Sequence, residues 1–201
     1  MGAGRDLLHL ICMNFDDSQF GERIRSGDRA AIAAVVETYL SHILNATRAS
    51  GLDSHRAEDV TQSTFATFIE KAPSFEGRSR VRTWLFGILY RKIAEARRAL
   101  GWERLSDDID HVMERRFHPD GTWSNPPQSM TVYSRELGKL IEACLDTLST
   151  AQRMAFVFRE KEEMATEEIC KILDVSRTNL GVLPYRGRNR LRECLEAKGV
   201  N

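Results

Sequence analysis

Long apolar runs are missing from this sequence. A bilayer span needs about 20 consecutive apolar residues, and the stretch Leu7-Leu8-His9-Leu10-Ile11-Cys12-Met13 is far shorter. Asn14-Phe15-Asp16-Asp17 follows it without a cleavage site, so neither a membrane span nor a secretory signal is expected. Asp6 stands where a myristoylation motif needs Ser or Thr. Cysteine is scarce. Cys12, Cys144, Cys170 and Cys194 are the only four, and none lies close enough to another to make a C-x-x-C ligand pair. Cys144, Cys170 and Cys194 fall among apolar helical positions and read as small buried hydrophobes. His9, His42, His55, His111 and His118 never meet at the i, i+4 spacing that places two imidazoles on one metal. There is no glycine-rich phosphate loop and no G-x-S-x-G elbow. No catalytic residue, metal or cofactor is expected. Net charge is also missing: 29 Lys+Arg balance 29 Asp+Glu over 201 residues. A chain of this length can bury a core without staples and makes one or two domains.

What is present is helical periodicity. Asp28 caps a helix reaching about Ala49, with Ile32, Val35, Val36, Tyr39, Leu40, Ile43 and Leu44 as its apolar stripe, and Gly51 ends it. A second helix starts near Asp53 or Ser54, carries Val60, Phe65, Phe68 and Ile69, and stops at Pro73. A third, about 80–100, buries Val81, Trp84, Leu85, Ile88, Leu89 and Ala96. The pattern then lapses. Residues 101–130 hold Asp107-Asp108-Ile109-Asp110, Pro119-Asp120-Gly121 and Pro126-Pro127, with Phe117 and Trp123 as aromatic anchors, and read as a flexible linker. Helices resume near Thr131 with the stripe Leu137, Leu140, Ile141, Cys144, Leu145 and Leu148. Ser149-Thr150-Ala151-Gln152 is a capping box opening the next helix. A short helix over 166–173, the turn Asp174-Val175-Ser176 and a helix capped by Ser176 make a helix-turn-helix pattern. The fold class expected is all-α: two small helical domains, 18–100 and 131–198, joined by the linker.

Zero net charge hides segregation. Between 78 and 98 stand Arg78, Arg80, Arg82, Arg91, Lys92, Arg97 and Arg98 against Glu95. Between 176 and 198 stand Arg177, Arg186, Arg188, Arg190, Arg192 and Lys198 against Glu193 and Glu196. The linker is acidic. One basic run is ordinarily a solvated helix face. Two runs, one inside a helix-turn-helix pattern, point to two contacts with a polyanion, and arginine's planar fork suits phosphates and base edges. Pro184 interrupts the second run. It removes the hydrogen bond to the Leu180 carbonyl and, with Gly181 and Gly187 nearby, predicts a kink or break near 180–183.

From about Phe20 to Leu195 the chain resembles the extracytoplasmic-function sigma factors, small bacterial transcription initiation factors. The resemblance rests on Gly27-Asp28, Ala57-Glu58-Asp59-Val60-Thr61-Gln62-Ser63-Thr64-Phe65, Phe75-Glu76-Gly77-Arg78 and Thr83-Trp84-Leu85-Phe86-Gly87-Ile88-Leu89 in the first domain. In the second it rests on Leu148-Ser149-Thr150-Ala151-Gln152-Arg153, Thr166-Glu167-Glu168-Ile169, Leu173-Asp174-Val175-Ser176 and the arginine-rich tail. It implies a non-enzymatic, cytoplasmic protein without membrane insertion. The implied partners are core RNA polymerase (through its β′ clamp helices and β subunit), promoter DNA and an anti-sigma factor. Glu58, Asp59, Gln62 and Thr64 would dock polymerase. Phe75, Arg80, Arg82, Arg91, Lys92, Glu95 and Arg98 would open and read the −10 element. Arg177, Thr178 and Asn179 would read the −35 element, with Arg186, Arg188 and Arg190 holding its phosphates. A stand-alone helix-turn-helix regulator is the alternative.

Overall fold

Side-chain caps open four of the described helices. The computed structural model describes residues 18–102 and 135–200, and among them eight α-helices and no strand occur. They are α1 (Ser18–Arg25), α2 (Arg29–Ala49), α3 (Ser54–Lys71), α4 (Val81–Ala99), α5 (Arg135–Leu145), α6 (Thr150–Glu160), α7 (Thr166–Leu173) and α8 (Arg177–Ala197). The acidic linker with Phe117 and Trp123, and residues 131–134 of the helix expected from Thr131, lie outside the described residues.

Asp28 caps α2 by accepting from the Ala30 amide at 2.9 Å and the Ala31 amide at 3.3 Å. The Arg23 side chain donates to its other oxygen at 2.7 Å, and this bond, ahead of the Ala31 amide, holds the Asp28 carboxyl below the usual carboxylate range. Asp53 caps α3 through the Arg56 amide and is lowered by that bond first. Pro73 ends α3 in a single 3₁₀ turn, Ala72–Ser74. The capping box before α6 has both its bonds: the Gln152 amide donates to Ser149 Oγ at 3.2 Å, and the Ser149 amide to Gln152 Oε1 at 3.0 Å. Ser176 caps α8 by accepting from the Asn179 amide at 3.1 Å. Asp174, at φ 56°, makes the left-handed turn between α7 and α8. Helix α1 lies outside the apolar stripes expected from the sequence. Its signal is the i, i+4 pair Phe20 and Ile24, both buried.

Helices α2, α3 and α4 pack on one another, and α6, α7 and α8 do likewise, with α5 laid against α8. Several expected core residues are surface residues instead. Leu40 and Ile69 are 47% and 48% exposed, and their place is taken by Ala34, Ala46, Thr61 and Thr64. The two helical domains are in contact. Helix α4 packs on α7, and α2 and α4 both meet α6, so one apolar cluster runs from Phe20 to Leu180. Phe86 of α4 meets Phe158 of α6 edge-on at 5.8 Å between ring centres.

Gly51 sits where the halves touch. Its φ is +93°, and a Cβ there would fall 2.7 Å from Asp146 Oδ1 and 2.9 Å from Arg153 Nη1. Both the backbone and the space demand glycine. Gly51→Ala should therefore lower the unfolding free energy by about 1–3 kcal/mol, read by urea titration. A Gly77→Ala control, also at positive φ but with nothing near its Cβ, separates strain from collision. A larger loss at Gly51 is expected.

Candidate nucleic-acid interface

On α3, Glu58, Asp59 and Gln62 are exposed. Thr64 is not. It is fully buried and donates its hydroxyl to the Val60 carbonyl at 2.7 Å, so the expectation that it meets a partner is corrected. A helical turn of ~3.6 residues brings Glu58, Gln62 and Ile69 onto one face. The exposed Ile69 is thus an apolar spot on an acidic surface, a member that the apolar stripe hid. Glu58 lies 3.8 Å from Arg48, and Asp59 pairs with His55 at 3.0 Å. Such exposed pairs are weak and exchange readily for an outside partner.

Phe75 is also corrected. It is 6% exposed, stacks at 4.9 Å on Trp84 and fills the space beside Gly21, where a Cβ would stand 3.1 Å from its ring. An aromatic in a short loop reads alike whether it faces solvent or folds back. The missing signal was Gly21 on α1, which leaves room for the ring. Trp84, placed in the core by periodicity, is half-buried between Phe68 and Phe75.

Helix α4 divides the basic candidates between two faces. Arg91, Glu95 and Arg98 share an exposed side, with Lys92 half-buried beside them. Arg82 and Arg97 point the other way, into the contact with α6 and α7. Arg82 donates through Nη2 to the Glu162 carbonyl and lies 3.6 Å from the Glu162 carboxylate. That carboxylate is buried, and His42 meets it at 2.9 Å. The neighbouring Thr83 hydroxyl donates to Glu168 Oε1 at 2.9 Å, and Arg80 approaches the same oxygen at 4.0 Å while staying mostly exposed. Carboxylates of the second half thus stand at Arg80 and Arg82.

Arg97 is the largest wholly buried side chain. Its Nη1 donates to the Ser50 carbonyl at 2.6 Å, Nη2 to the Leu148 carbonyl at 2.7 Å and Nε to Thr150 Oγ1 at 3.1 Å, and Trp102 covers its plane at 5.2 Å. Arg153 works in the opposite direction, donating Nε to the Ala49 carbonyl at 2.6 Å and Nη1 to Asp146 at 2.9 Å. Burial pushes its pKa down against the pull of Asp146. Within a run of arginines, nothing local distinguishes Arg97 from Arg98. The i, i+4 relation to buried Ile93 was the available sign, and it is ambiguous for a long side chain.

Arg177, Thr178 and Asn179 are all exposed on the first turn of α8, where free amides favour anions. Arg177 pairs with Glu167 across the turn, and Glu167 is lowered first by its own amide and then by Arg177. Helix α8 runs unbroken through Pro184, so the expected break does not occur. Leu180 and Gly187 are buried beneath it, and the Gly187 backbone lies close enough to α6 that a Cβ would touch Gln152 and Leu148. Packing along its length holds the helix despite the lost hydrogen bond. Arg188 falls on the face of Arg177, close to three turns on, and is exposed. Arg186 and Arg190 lie on the other side and are half-buried. The cysteine reading is corrected as well: Cys144 and Cys194 form a disulfide between α5 and α8, while Cys170 is free. Helical periodicity says nothing of which two sulfurs meet across fifty positions. No described helix is long and apolar enough to cross a membrane.

Two family models match the chain: Sigma-70 region 2 over residues 35–103 and Sigma-70 region 4 over 138–191. A Haemophilus influenzae protein named "Probable RNA polymerase sigma factor" is 32% identical over 151 residues, covering 71% of this chain and 78% of that one. The ECF RNA polymerase sigma-E factor of Escherichia coli K12 is 29% identical over 161 residues, covering 79% and 83%. Two solved structures share the fold. CnrH in complex with the cytosolic domain of CnrY has a TM-score of 0.59 at 19% identity, over 90% of this chain and 98% of that one. RpoE in complex with the anti-sigma factor NepR from Bartonella quintana has a TM-score of 0.54 at 23% identity, over 80% and 94%.

Arg97→Met should strand two buried carbonyls and cost about 2–4 kcal/mol of stability. Arg98→Ala, one residue on and exposed, should cost less than about 0.5 kcal/mol. Thermal and chemical denaturation of the two variants side by side checks the contrast.

Proposed function

The chain belongs to the extracytoplasmic-function family of RNA polymerase sigma factors, and on that premise we propose how its residues divide the work of an alternative sigma factor that directs promoter-specific initiation. The exposed Glu58, Asp59, Gln62 and Ile69 face of α3 docks the β′ clamp helices of core polymerase. An apolar residue flanked by charges supplies the desolvated centre that such a contact needs. Arg80, Arg91, Lys92, Glu95 and Arg98 hold the −10 strand, and Arg82 joins them once Glu162 is withdrawn. Arg177, Thr178 and Asn179 enter the major groove at the −35 element, and Arg188 continues that face along the phosphates. The chain supplies no catalytic group, because nucleotidyl transfer belongs to polymerase. It works in the cytoplasm, where polymerase is. An anti-sigma factor is its regulator, a reading supported by the partners named for both solved neighbours.

The observation that carries this reading is the pairing of an exposed acidic-apolar face on α3 with an exposed reading turn on α8, in one chain. A repressor acting alone has no use for the first. The two halves must part for Arg82 to meet DNA, because the carboxylate and carbonyl of Glu162 occupy it.

Transcription with core polymerase on a genomic promoter pool tests the proposal. The expected outcome is a discrete set of new transcripts, lost together with core binding in a Glu58→Arg/Asp59→Arg variant, by about tenfold or more. Absence of promoter-specific transcripts would defeat the reading. Pro184→Leu should keep the same promoter set, since the helix is already continuous. Arg188→Ala should weaken promoter binding and reduce the slope of log affinity against log salt by about one unit, whatever the sequence. Arg186→Ala should change that slope less.

A further inference from the structure

Cys144 lies in the last turn of α5 and Cys194 in the last turn of α8, and they are bonded with a Cα–Cα distance of 5.6 Å. That spacing lets a disulfide open and close with little movement of either backbone. The two sulfurs differ in access: Cys144 is wholly buried and Cys194 half-buried. The place of Cys194 in α8 matters. Pro184 takes away the hydrogen bond to the Leu180 carbonyl, and Gly181 and Gly187 weaken the same stretch. Arg188 and Arg190 follow this weak point, and Cys194 follows them. The bond is therefore a covalent anchor on the far side of the helix's least stable stretch. Disulfides that form in the cytoplasm are mostly transient and redox-sensing.

We propose that Cys144 and Cys194 are an oxidant-responsive dithiol pair, with a hydroperoxide as its co-substrate, and that its oxidation clamps the part of α8 beyond Pro184 to α5. The half-buried Cys194 reacts first. Its thiolate attacks one peroxide oxygen, the O–O bond breaks, and the leaving oxygen departs as water after taking a proton. Cys194 is then a sulfenic acid, oxidised by two electrons. The Cys144 thiolate attacks that sulfur, the S–O bond breaks, and the hydroxide leaves as a second water once protonated. One disulfide and two waters result from two thiols and one hydrogen peroxide. A thiol reductant reverses the reaction by exchange. The oxidised form is the one seen here, with Arg188 and Arg190 held in fixed directions between Pro184 and the bond. In the reduced form that segment has no covalent link to α5, and the Arg192–Glu196 pair lies within α8 itself. The consequence for promoter reading rests on the proposed function, because only a −35 reader needs Arg188 aimed.

The test uses the full chain treated with hydrogen peroxide or with dithiothreitol. Free thiols are trapped with a maleimide and mapped by peptide mass. Hydrogen exchange is then followed across residues 185–197. Peroxide should reduce the four free thiols of the reduced chain to two, with Cys144 and Cys194 in one linked peptide. Exchange over 185–197 should slow by about tenfold relative to the reduced chain, while 177–183 changes little. Cys12→Ser/Cys170→Ser should respond like the parent, and Cys144→Ser/Cys194→Ser should not respond. The oxidised parent should also melt about 5–10 °C above its reduced form. A linked peptide joining other cysteines, no linked peptide, or a linked chain whose exchange and melting match the reduced one would each overturn the proposal. Transcription assayed in both states separates the two readings. Transcripts absent from both states defeat the sigma-factor assignment even where the thiol and exchange results stand. Transcripts present but equal in both states remove the promoter consequence.

Discussion

A single guanidinium organises this molecule. Arg97 is wholly buried. It is held by two backbone carbonyls and a hydroxyl drawn from both halves of the chain. Burying such a charge is costly unless every donor is used. Here the acceptors come from the end of α2, the turn before α6 and the first residue of α6. These are places where helix ends leave groups without intrahelical partners. Each half thus supplies what the other leaves unsatisfied. Arg153 repeats the arrangement in reverse, donating from α6 to the carbonyl that closes α2. Gly51 is what leaves room for Arg153 and Asp146.

The joint has a functional edge. Its apolar part, Phe86 on Phe158 with Tyr39 alongside, is ordinary core. Its polar margin holds the arginines that the proposed function assigns to the −10 strand. Glu162 and Glu168 come from the loop before α7 and from its first turn, and they answer Arg82, Arg80 and Thr83. The same chemistry that recognises phosphate is satisfied internally by carboxylates. Under the proposed function, the closed arrangement and a DNA-bound one compete for the same donors. The exposed side of α4, with Arg91 and Arg98, is untouched by this competition. A basic run of one sequence thus serves two purposes because a helix has two sides.

Helix α8 shows how far context can override local preference. By propensity a proline and two glycines in its first eleven residues should end it. The buried Leu180, the close approach of Gly187 to α6 and the bond from Cys194 to α5 keep it whole. Its first turn, capped by Ser176, needs none of these supports. The first turn is a local structure, and the continuity of the helix beyond Pro184 is a tertiary one. Helical spacing along the unbroken helix then keeps Arg188 on the exposed face and turns Arg186 and Arg190 aside.

The helix boundaries were legible residue by residue. Asp28, Asp53, Ser149 and Ser176 cap helices within one position of where the sequence places them, because a cap is a contact between near neighbours. The all-α class and the helix-turn-helix followed from period and turn chemistry for the same reason. The surface of α3 was half legible: Glu58, Asp59 and Gln62 are exposed, but Thr64 is buried and Ile69 is not. A hydrophobicity pattern records what a residue tolerates, not which side of it a neighbour occupies. The partners of Arg97, the concealment of Arg82, the burial of Phe75 and the meeting of Cys144 with Cys194 were decided only by the tertiary structure. Each depends on segments far apart in the chain being brought side by side. Local chemistry is written in local sequence, whereas the pairing of distant surfaces is settled by packing the whole core at once.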